Sequence, residues 1–239
     1  MTTSWHIPEG VNIAFSTRHA GLSKAPYESL NVGLHVGDAL EDVLANRALI
    51  SERLLLPSRP AWLDQAHSTK VVEADNQRLV CADASYTRQR QQVCVVMTAD
   101  CLPVLICDRQ GKQVAAIHAG WRGLCDGIIE TTLETFASQH ADLIAYLGPA
   151  IGPEAFEVGE EVREMFMLLH PETSTFFNST ESDSKFLADL QGLAKYRLQL
   201  AGVSEVYLSH ACTYKNEADY FSYRRDGITG RMASFIWLT

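Results

Sequence analysis

Three short apolar runs, separated by short polar turns, constrain the fold of this chain more than any other feature. The runs lie at residues 93–97, 104–107 and 114–117 and consist largely of Val, Ile, Ala and Cys. Runs of this length that are rich in β-branched residues are typical of strands, and the Asp-Arg-Gln-Gly segment 108–111 predicts a hairpin turn between the last two. The chain is therefore expected to build a sheet around this segment.

The periodicity of apolar residues elsewhere predicts a single mixed α/β domain. It predicts helices at residues 38–56, 124–139, 159–169 and 187–201, and strands at 11–15, 71–72, 143–147, 206–208 and 233–238. The polar stretch 170–184 is expected to be a surface loop and is the only candidate domain boundary. Because this stretch is short and the helices beside it can share a core, residues 1–239 are expected to form one domain.

Charge and hydropathy argue against several classes of protein. The formal net charge is −9 and the isoelectric point is near 5.3, which disfavours a surface that neutralises nucleic-acid phosphates. No apolar stretch approaches the roughly 20 residues that span a bilayer, and residues 1–8 lack the basic and apolar segments of a secretory signal. We therefore expect a cytoplasmic protein that has neither nucleic acid nor membrane as a partner.

The six cysteines are expected to be free thiols. None belongs to a Cys-x-x-Cys pair, and a chain of 239 residues does not need disulfides to stabilise its fold. Cys94 and Cys107 lie within apolar runs and are predicted to be buried in the core. Cys101 differs from them because it follows Asp100 and begins a Cys-Leu-Pro segment at the edge of a predicted strand.

Two histidines share this placement at the edge of a predicted strand. His118 follows the run 114–117, and His67 lies in a Gln-Ala-His-Ser segment just before the run 71–72. Two imidazoles and a thiolate are the ligands of a zinc site that keeps one coordination position open for water or substrate. The spacing matches no standard zinc motif, but residues held at strand ends can converge from distant sequence. His67, Cys101 and His118 are therefore candidate zinc ligands and catalytic residues.

The same side chains also permit chemistry without a metal. A cysteine beside a histidine can form a thiolate nucleophile that the imidazole activates and a third group orients. Cys101, His118 and Asp100 would then serve a hydrolase or deamidase. Because such a dyad does not require His67, the role of His67 discriminates between the two hypotheses.

Candidate anion-binding residues lie in two other segments. The turn 118–123 between a predicted strand and helix would expose backbone N–H groups, and Arg122 could add a bidentate phosphate contact. Arg224 and Arg225 form a basic pair within 221–226, and on a strand they would point to opposite faces, so at most one would meet a ligand. Aromatic side chains that could stack on a planar ring, unless they pack in the core, are Trp121, Phe221 and Tyr223.

Together these segments resemble the YfiH-like family of bacterial cytosolic proteins, also known as the laccase-domain or polyphenol oxidase-like family. The resemblance covers nearly the whole chain. The matching segments are 16–18, 29–33, 98–104, 118–123, 147–152, 156–159, 212–214, 221–226 and 229–231. Two departures are Ala20 and Ser68, which stand where the family usually has glycine. Ser68 would alter the backbone beside His67 if that position requires a positive φ.

The resemblance implies a four-layer α/β/β/α fold of the α+β class, in which two mixed sheets pack together between helices. It places a metal site at His67, Cys101 and His118, with zinc as the expected cofactor and copper able to replace it. The protein is expected to be a monomer or a small homo-oligomer. Candidate residues for binding substrate or phosphate are Asn31, Arg122, Arg224 and Arg225.

The function that the resemblance implies is purine nucleoside metabolism. It comprises zinc-dependent phosphorolysis of adenosine, inosine, guanosine or 5′-methylthioadenosine, which yields the base and a ribose-1-phosphate, together with deamination of adenosine. A zinc-bound water of lowered pKa suits deamination, and an anion pocket suits phosphorolysis. Asp100 is a candidate proton carrier or a residue that orients Cys101.

Three other activities would use the same atoms. One is the editing of peptidoglycan precursors by hydrolysis of UDP-MurNAc-amino acids, and another is metal-free hydrolysis by a Cys–His pair. The third is a copper-loaded, laccase-like polyphenol oxidase, although eight histidines without a His-x-His pair are a poor basis for multicopper chemistry. A purely structural metal is disfavoured because structural zinc sites normally have four protein ligands.

Overall fold

The computed structural model describes residues 5–239. Positions 1–4 of the segment 1–8, which was expected not to be a secretory signal, lie outside the described residues. The strands are β1 (Val11–Phe15), β2 (Leu63–Asp64), β3 (Val71–Glu73), β4 (Val80–Cys81), β5 (Ala84–Thr87), β6 (Val93–Thr98), β7 (Leu102–Asp108), β8 (Val114–Ala119), β9 (Leu143–Leu147), β10 (Glu157–Gly159), β11 (Phe177–Ser179), β12 (Lys185–Ala188), β13 (Glu205–Leu208) and β14 (Met232–Leu238). The helices are α1 (Leu40–Arg53), α2 (Trp121–Asp126), α3 (Ile128–Leu133), α4 (Glu160–Leu169), α5 (Leu190–Leu200) and α6 (Tyr223–Asp226). None of the helices in this described range combines the length and apolar character that crossing a membrane requires.

The predicted central strands lie together in a six-stranded sheet of order β13-β9-β7-β8-β5-β3. β7 pairs antiparallel with β8 and β9, whereas β13 with β9 and β5 with β3 form parallel pairs, so the sheet is mixed. The predicted hairpin between β7 and β8 is confirmed. Its turn closes with a hydrogen bond from the Gly111 N–H to the Asp108 carbonyl at 3.1 Å.

A three-stranded antiparallel sheet of order β1-β14-β6 packs face to face on the larger sheet. Cys94 and Val96 of β6 share a core with Leu105 and Cys107 of β7. Both cysteines are fully buried, as predicted. Because successive side chains of a strand point to opposite faces, the outer face of each sheet remains available to bury helices.

Helices cover both outer faces and complete four layers. Val104, on the outer face of β7, lies in one core with Ile128 of α3 and Leu193 of α5. On the smaller sheet, Val95 of β6 shares a core with Ile50 of α1. Fully burying an aliphatic side chain of this size contributes about 1.5–3 kcal/mol, so these contacts hold the helices in place. The α/β/β/α arrangement is confirmed. Of these two sheets only the larger is mixed, which corrects the expectation of two mixed sheets, because β1, β14 and β6 pair antiparallel throughout.

The helix predicted at 124–139 forms two short helices instead. Gly127 separates α2 from α3. Its φ of 99° lies in the left-handed region, which glycine adopts without a side-chain clash. Leu124, Ile128 and Leu133 are buried as expected. The apolar spacing therefore located the buried face correctly but did not reveal the break.

The stretch 170–184, predicted as a surface loop, contains structure of its own. Residues Pro171–Phe176 form a 3-10 helix, and β11 follows directly. β12 pairs antiparallel with both β10 and β11, and this small sheet includes Leu187, which the periodicity had assigned to a helix. The helix begins later as α5, where the Asp189 side chain accepts the backbone N–H of Gly192 at 2.9 Å.

Candidate metal centre

Three side chains from separate parts of the chain meet at one end of the six-stranded sheet. His118 of β8 pairs with Pro103 of β7, so Cys101, which precedes β7, lies beside the end of β8. His67 reaches them from the loop between β2 and β3. The potential ligand atoms of the three residues lie within 4.8 Å of one another, and no other group of three His, Cys, Asp or Glu side chains between residues 5 and 239 has this spacing. Cys101 Sγ lies 3.7 Å from His67 Nε2.

A buried carboxylate orients one of the two imidazoles. His118 Nδ1 lies 2.8 Å from Asp83 Oδ1, and the Asp83 side chain is completely inaccessible to solvent. A hydrogen bond from Nδ1–H to a carboxylate fixes the histidine tautomer and presents Nε2 as the metal-binding atom. This contact is not among the sequence-based predictions, and Asp83 stands between two alanines in the chain. That unusual placement of an acid in an apolar setting is the one signal that could have found it.

Asp83 also holds the loop that carries His67. Its two carboxylate oxygens accept the backbone N–H groups of Ala66 at 3.2 Å, His67 at 2.9 Å and Ser68 at 2.6 Å. The Ser68 hydroxyl donates a further hydrogen bond to Asp83 at 2.6 Å. One carboxylate therefore positions two of the three candidate ligands, His67 through its backbone and His118 through its ring.

The two departures from the family pattern have different consequences. Within the segment 65–68, His67 adopts a positive φ of 59° and Ser68 does not. Ser68 instead gains its hydrogen bond to Asp83. Ala20 does adopt a positive φ of 63°, where a glycine would be less strained.

Asp100 shapes the turn that presents Cys101. It adopts a φ of 88°, a conformation that non-glycine residues rarely occupy. Its carboxylate accepts the Thr213 hydroxyl at 2.6 Å and the backbone N–H of Arg224 at 2.7 Å, and its carbonyl accepts the N–H of Ile151 at 2.9 Å. These contacts offset a backbone strain of about 1–3 kcal/mol.

Cys101 and His118 change one another's pKa. Burial raises the pKa of the Cys101 thiol, but the charge of His118 and hydrogen bonds from both histidines outweigh burial and lower this pKa to about 6. Burial lowers the pKa of His118, whereas the charge of Cys101 and the hydrogen bond to Asp83 raise it to about 9. The pairing with His118 therefore favours the thiolate form of Cys101, the form that binds a metal or attacks an electrophile.

Gly120 leaves the space that the cluster occupies. A Cβ atom at this position would lie 2.7 Å from His67 Cδ2 and 3.2 Å from Cys101 Sγ. Its backbone angles, φ −65° and ψ 159°, are open to any residue. Glycine is therefore required here by the close approach of the candidate ligands rather than by backbone conformation.

Replacing Gly120 with alanine is expected to displace His67 and lower zinc affinity at least about tenfold, the scale on which disturbing a ligand's support acts. Zinc affinity can be measured by competition with a chromophoric chelator. Gly192→Ala is the matched control, because a Cβ there would likewise lie 2.7 Å from a ring carbon, Phe176 Cδ1, but has no candidate ligand among its nearest neighbours. Unchanged zinc affinity in Gly120→Ala would contradict the assigned role.

The cluster lies in a cleft of about 430 Å³, a size that suits a small organic ligand. Besides the three candidate ligands, the cleft is lined by residues 97–99 and by His35, Gln65, Tyr223 and Arg231. The Gln65 amide fixes one wall by exchanging two hydrogen bonds of 2.8 Å with the backbone of Met97. Tyr223, one of the aromatic residues proposed to stack on a planar ring, is 60% exposed and therefore available to a ligand.

Arg122 does not line this cleft. Its side chain is exposed, and its guanidinium carbon lies 4.8 Å from the Trp121 ring centroid. Arg122 is the second residue of α2, a helix of only six residues. The structure therefore places Arg122 outside the cleft that holds the three candidate ligands.

Arg224 and Arg225 lie on the short helix α6 rather than on a strand, which corrects the expectation of opposite faces. Arg224 donates to the Glu157 carbonyl at 2.8 Å. Arg225 pairs with Asp226 and donates to the carbonyls of Thr213, Tyr214 and Tyr220. Both guanidinium groups therefore connect segments of the chain.

Asn31 is completely buried and also lacks access to the cleft. Its side-chain oxygen accepts the backbone N–H groups of Gly33 and Arg231, each at 2.9 Å. Its amide nitrogen donates to Asp38 at 2.9 Å. The structure therefore gives Asn31 a role in positioning Arg231, which does line the cleft.

Comparison with known proteins relates the chain to a family over most of its length. The family described as multi-copper polyphenol oxidoreductase laccase matches residues 12–239. Purine nucleoside phosphorylase YfiH of Escherichia coli is 49% identical over 236 residues, which cover 98% of this chain and 96% of that protein. Purine nucleoside phosphorylase PA4543 of Pseudomonas aeruginosa is 46% identical, with coverage of 100% and 98%.

The fold is shared with solved structures. Neisseria meningitidis protein NMB0706 superposes with a TM-score of 0.94 at 47% identity, and the match covers 98% of this chain and 97% of that one. At this identity and coverage the two proteins share one fold.

Proposed function

The chain belongs to the multi-copper polyphenol oxidoreductase laccase family, the YfiH-like proteins, and from that premise we propose that it is a zinc-dependent purine nucleoside phosphorylase. Its substrates would be adenosine, inosine, guanosine and 5′-methylthioadenosine, and it would also deaminate adenosine. The observation that supports this proposal most strongly is the convergence of His67, Cys101 and His118 in a cleft of nucleoside size.

The three residues fit a zinc ion by the chemistry of their donor atoms. Two imidazoles and one thiolate are soft and borderline donors that suit zinc. Asp83 supplies the carboxylate partner that metal-binding histidines usually have. The cluster opens on the cleft, so a substrate can approach it. A zinc ion bound there would supply Lewis-acid polarisation of an oxygen atom.

Phosphorolysis exchanges one bond at ribose C1′ for another. A phosphate oxygen forms a bond to C1′ while the bond from C1′ to the purine nitrogen breaks, and the bonding electrons leave with the purine. The purine takes up the proton that hydrogen phosphate gives up, so protons and charge balance. The chain must therefore hold the purine, the ribose and an oxyanion together in one cleft, and the exposed ring of Tyr223 offers a surface on which the base can stack.

Asp100 is better suited to position Cys101 than to carry a proton. Both of its carboxylate oxygens already accept hydrogen bonds, from Thr213 and Arg224. Deamination of adenosine, in which water oxygen replaces the amino group and ammonia leaves, therefore needs a proton route that does not depend on Asp100. In our proposal the role of Asp100 is to hold the backbone before Cys101.

Copper is the alternative occupant of the same site, because Cu²⁺ binds most nitrogen and sulfur sites more tightly than zinc. The family description refers to multi-copper oxidoreductases, yet the described residues contain a single three-residue cluster. Phenol oxidation by a copper-loaded sample would therefore report on metal substitution and not on the proposed activity.

The proposed function predicts that zinc-loaded protein converts inosine and phosphate into hypoxanthine and ribose-1-phosphate. Cleavage should fall to background when phosphate is omitted, because phosphate is the attacking group. Both products can be separated by liquid chromatography and identified by mass. Release of free ribose without dependence on phosphate would reassign the reaction as hydrolysis.

The same zinc-defined sample should be offered UDP-MurNAc-amino acids in parallel. Under the proposed function, cleavage of inosine is the faster reaction by a wide margin. Efficient amide hydrolysis of the muropeptide precursor with no turnover of nucleosides would overturn the proposal in favour of precursor editing.

A further inference from the structure

Arg231 brings a positive charge into the cleft from the far end of the chain. Met232, the first residue of β14, pairs with Thr98 at the end of β6. Arg231 therefore lies beside the segment 98–99 that leads to Cys101. Its side chain and the three candidate metal ligands line the same cleft.

Within the part of the chain that the structure describes, the position of Arg231 is fixed through hydrogen bonds and packing, and not through an ion pair with a carboxylate. Nη1 donates to the carbonyls of Thr229 and Gly230, each at 3.0 Å, and the backbone N–H donates to Asn31 at 2.9 Å. Gly33 leaves room for the side chain, since a Cβ there would lie 2.8 Å from Arg231 Cγ. Among residues 5–239 no carboxylate forms an ion pair with this guanidinium, whereas Arg78, Arg109, Arg197 and Arg225 each pair with an acid.

His35 adds a hydrogen-bonding group to the same wall. It lines the cleft with Arg231, and burial, followed by the nearby charge of Arg231, lowers the pKa of its imidazole. A neutral imidazole can donate one N–H and does not repel the guanidinium. In a protein of net charge −9, this wall is therefore suited to an anion.

We propose that Arg231 and His35 form an oxyanion subsite that binds the inorganic phosphate used in phosphorolysis. The inference rests on the proposed function and assigns its second substrate to named residues. The hydrogen bonds of the guanidinium to Thr229 and Gly230 use Nη1 and leave Nε and Nη2 as donors. Two adjacent N–H donors of this kind match the spacing of two phosphate oxygens. Tyr223, whose ring centroid lies 5.8 Å from the Arg231 guanidinium carbon, lies next to this subsite, where the nucleoside would bind.

Arg231→Gln is expected to raise the KM for phosphate about tenfold to a hundredfold, the effect of losing a hydrogen bond to a charged group. The KM for inosine and the zinc content should stay close to those of the wild type. Arg231→Lys keeps the charge but loses the two parallel donors of the guanidinium, so its KM for phosphate should lie between those of the wild type and Arg231→Gln. Arg163→Gln is the matched control, because Arg163 also lies over an aromatic ring, at 4.9 Å from Phe186, but on the distant helix α4.

An unchanged phosphate KM in Arg231→Gln would overturn the inference. A raised phosphate KM in Arg122→Gln alone would instead return the subsite to the turn 118–123. Loss of zinc or a large drop in melting temperature in Arg231→Gln would show that this substitution disrupts the protein generally. In that case Arg231→Lys is the deciding variant, and a KM for phosphate in Arg231→Lys equal to that of the wild type would contradict the subsite.

Direct binding separates this inference from the proposed function. Titration of the zinc-loaded protein with inorganic phosphate, followed by ³¹P NMR line width, needs no nucleoside. Binding in the wild type that is lost in Arg231→Gln supports the subsite even if inosine is never cleaved. Phosphate-dependent cleavage of inosine with equal ³¹P broadening in both proteins would preserve the function and reject the subsite. A competition with inosine 5′-monophosphate distinguishes free phosphate from a phosphate ester as the preferred ligand.

Discussion

Cys101→Ala is expected to remove the bound zinc and to lower phosphorolysis of inosine by about three orders of magnitude, the scale on which loss of a preorganised electrostatic group acts. The thiolate is the anionic member of the ligand set, and its replacement leaves two neutral imidazoles that hold zinc weakly. The fold should survive, because Cys101 is only half-buried. Zinc per chain can be measured by atomic absorption and the rate by release of hypoxanthine.

Cys81→Ala is the matched control for this variant, since Cys81 is an exposed thiol outside the cluster. His67→Ala provides the decisive companion, because a metal-free Cys–His nucleophile does not need His67. Loss of zinc and activity in both Cys101→Ala and His67→Ala is the result expected for a metal site. Full activity in His67→Ala, with loss of activity in Cys101→Ala, would favour the dyad.

Asp83→Ala is the second change with a large expected effect. It leaves the Nδ1–H of the buried His118 and three part-buried backbone N–H groups without their acceptor. A buried donor left unsatisfied costs about 1–3 kcal/mol, and the part-buried donors add less because water can reach them, so the free energy of unfolding should fall by about 2–3 kcal/mol. Zinc affinity should fall about 10- to 100-fold, because His118 loses the partner that orients it.

Asp108→Ala separates these two effects. Asp108 is also buried and accepts a backbone N–H, that of Lys112 at 2.9 Å, but it lies at the opposite end of β7 from the cluster. Urea denaturation should show lower stability in both variants, whereas chelator competition should show weakened zinc binding in Asp83→Ala alone. Equal zinc affinity in the two proteins would contradict the role assigned to Asp83.

The central sheet was predictable because its strands are buried on both faces. Residues 104–107 and 114–117 are apolar without alternation, as expected for strands that lie between another sheet and a layer of helices. The boundaries of helices were less predictable, since they depend on local backbone geometry. The break at Gly127 does not interrupt the apolar periodicity, and so the sequence pattern predicts one helix where there are two.

The candidate metal ligands could be identified from residue type, from their position at strand ends and from the family resemblance. The contact between Asp83 and His118 could not be predicted, because it depends on how β5 and β8 pair, although an acid between two alanines marks Asp83 itself as unusual. The position of Arg231 could not be predicted for a similar reason, because the register of β14 on β6 brings this residue to the cleft. The sequence pattern favoured Arg122 instead, since a turn between a strand and a helix is a common anion-binding site.

Asn31 shows how a motif residue can serve a site without touching a ligand. It lies in a segment that matches the family pattern, yet it is buried and bonds to the backbone of Arg231. Asp100 likewise positions a functional group, because its backbone conformation and its hydrogen bonds hold the turn that presents Cys101. Sequence motifs around this site therefore contain residues that position the functional groups as well as the groups themselves.

The most direct test of the central claim is a zinc titration of metal-free protein during phosphorolysis of inosine. Formation of ribose-1-phosphate should rise with added zinc and reach a plateau at about one zinc ion per chain, as expected for a single site with three protein ligands. The Cys101→Ala protein should show no rise over the same range. Full phosphorolysis by protein from which the zinc has been removed, with no response to added metal, would contradict the account.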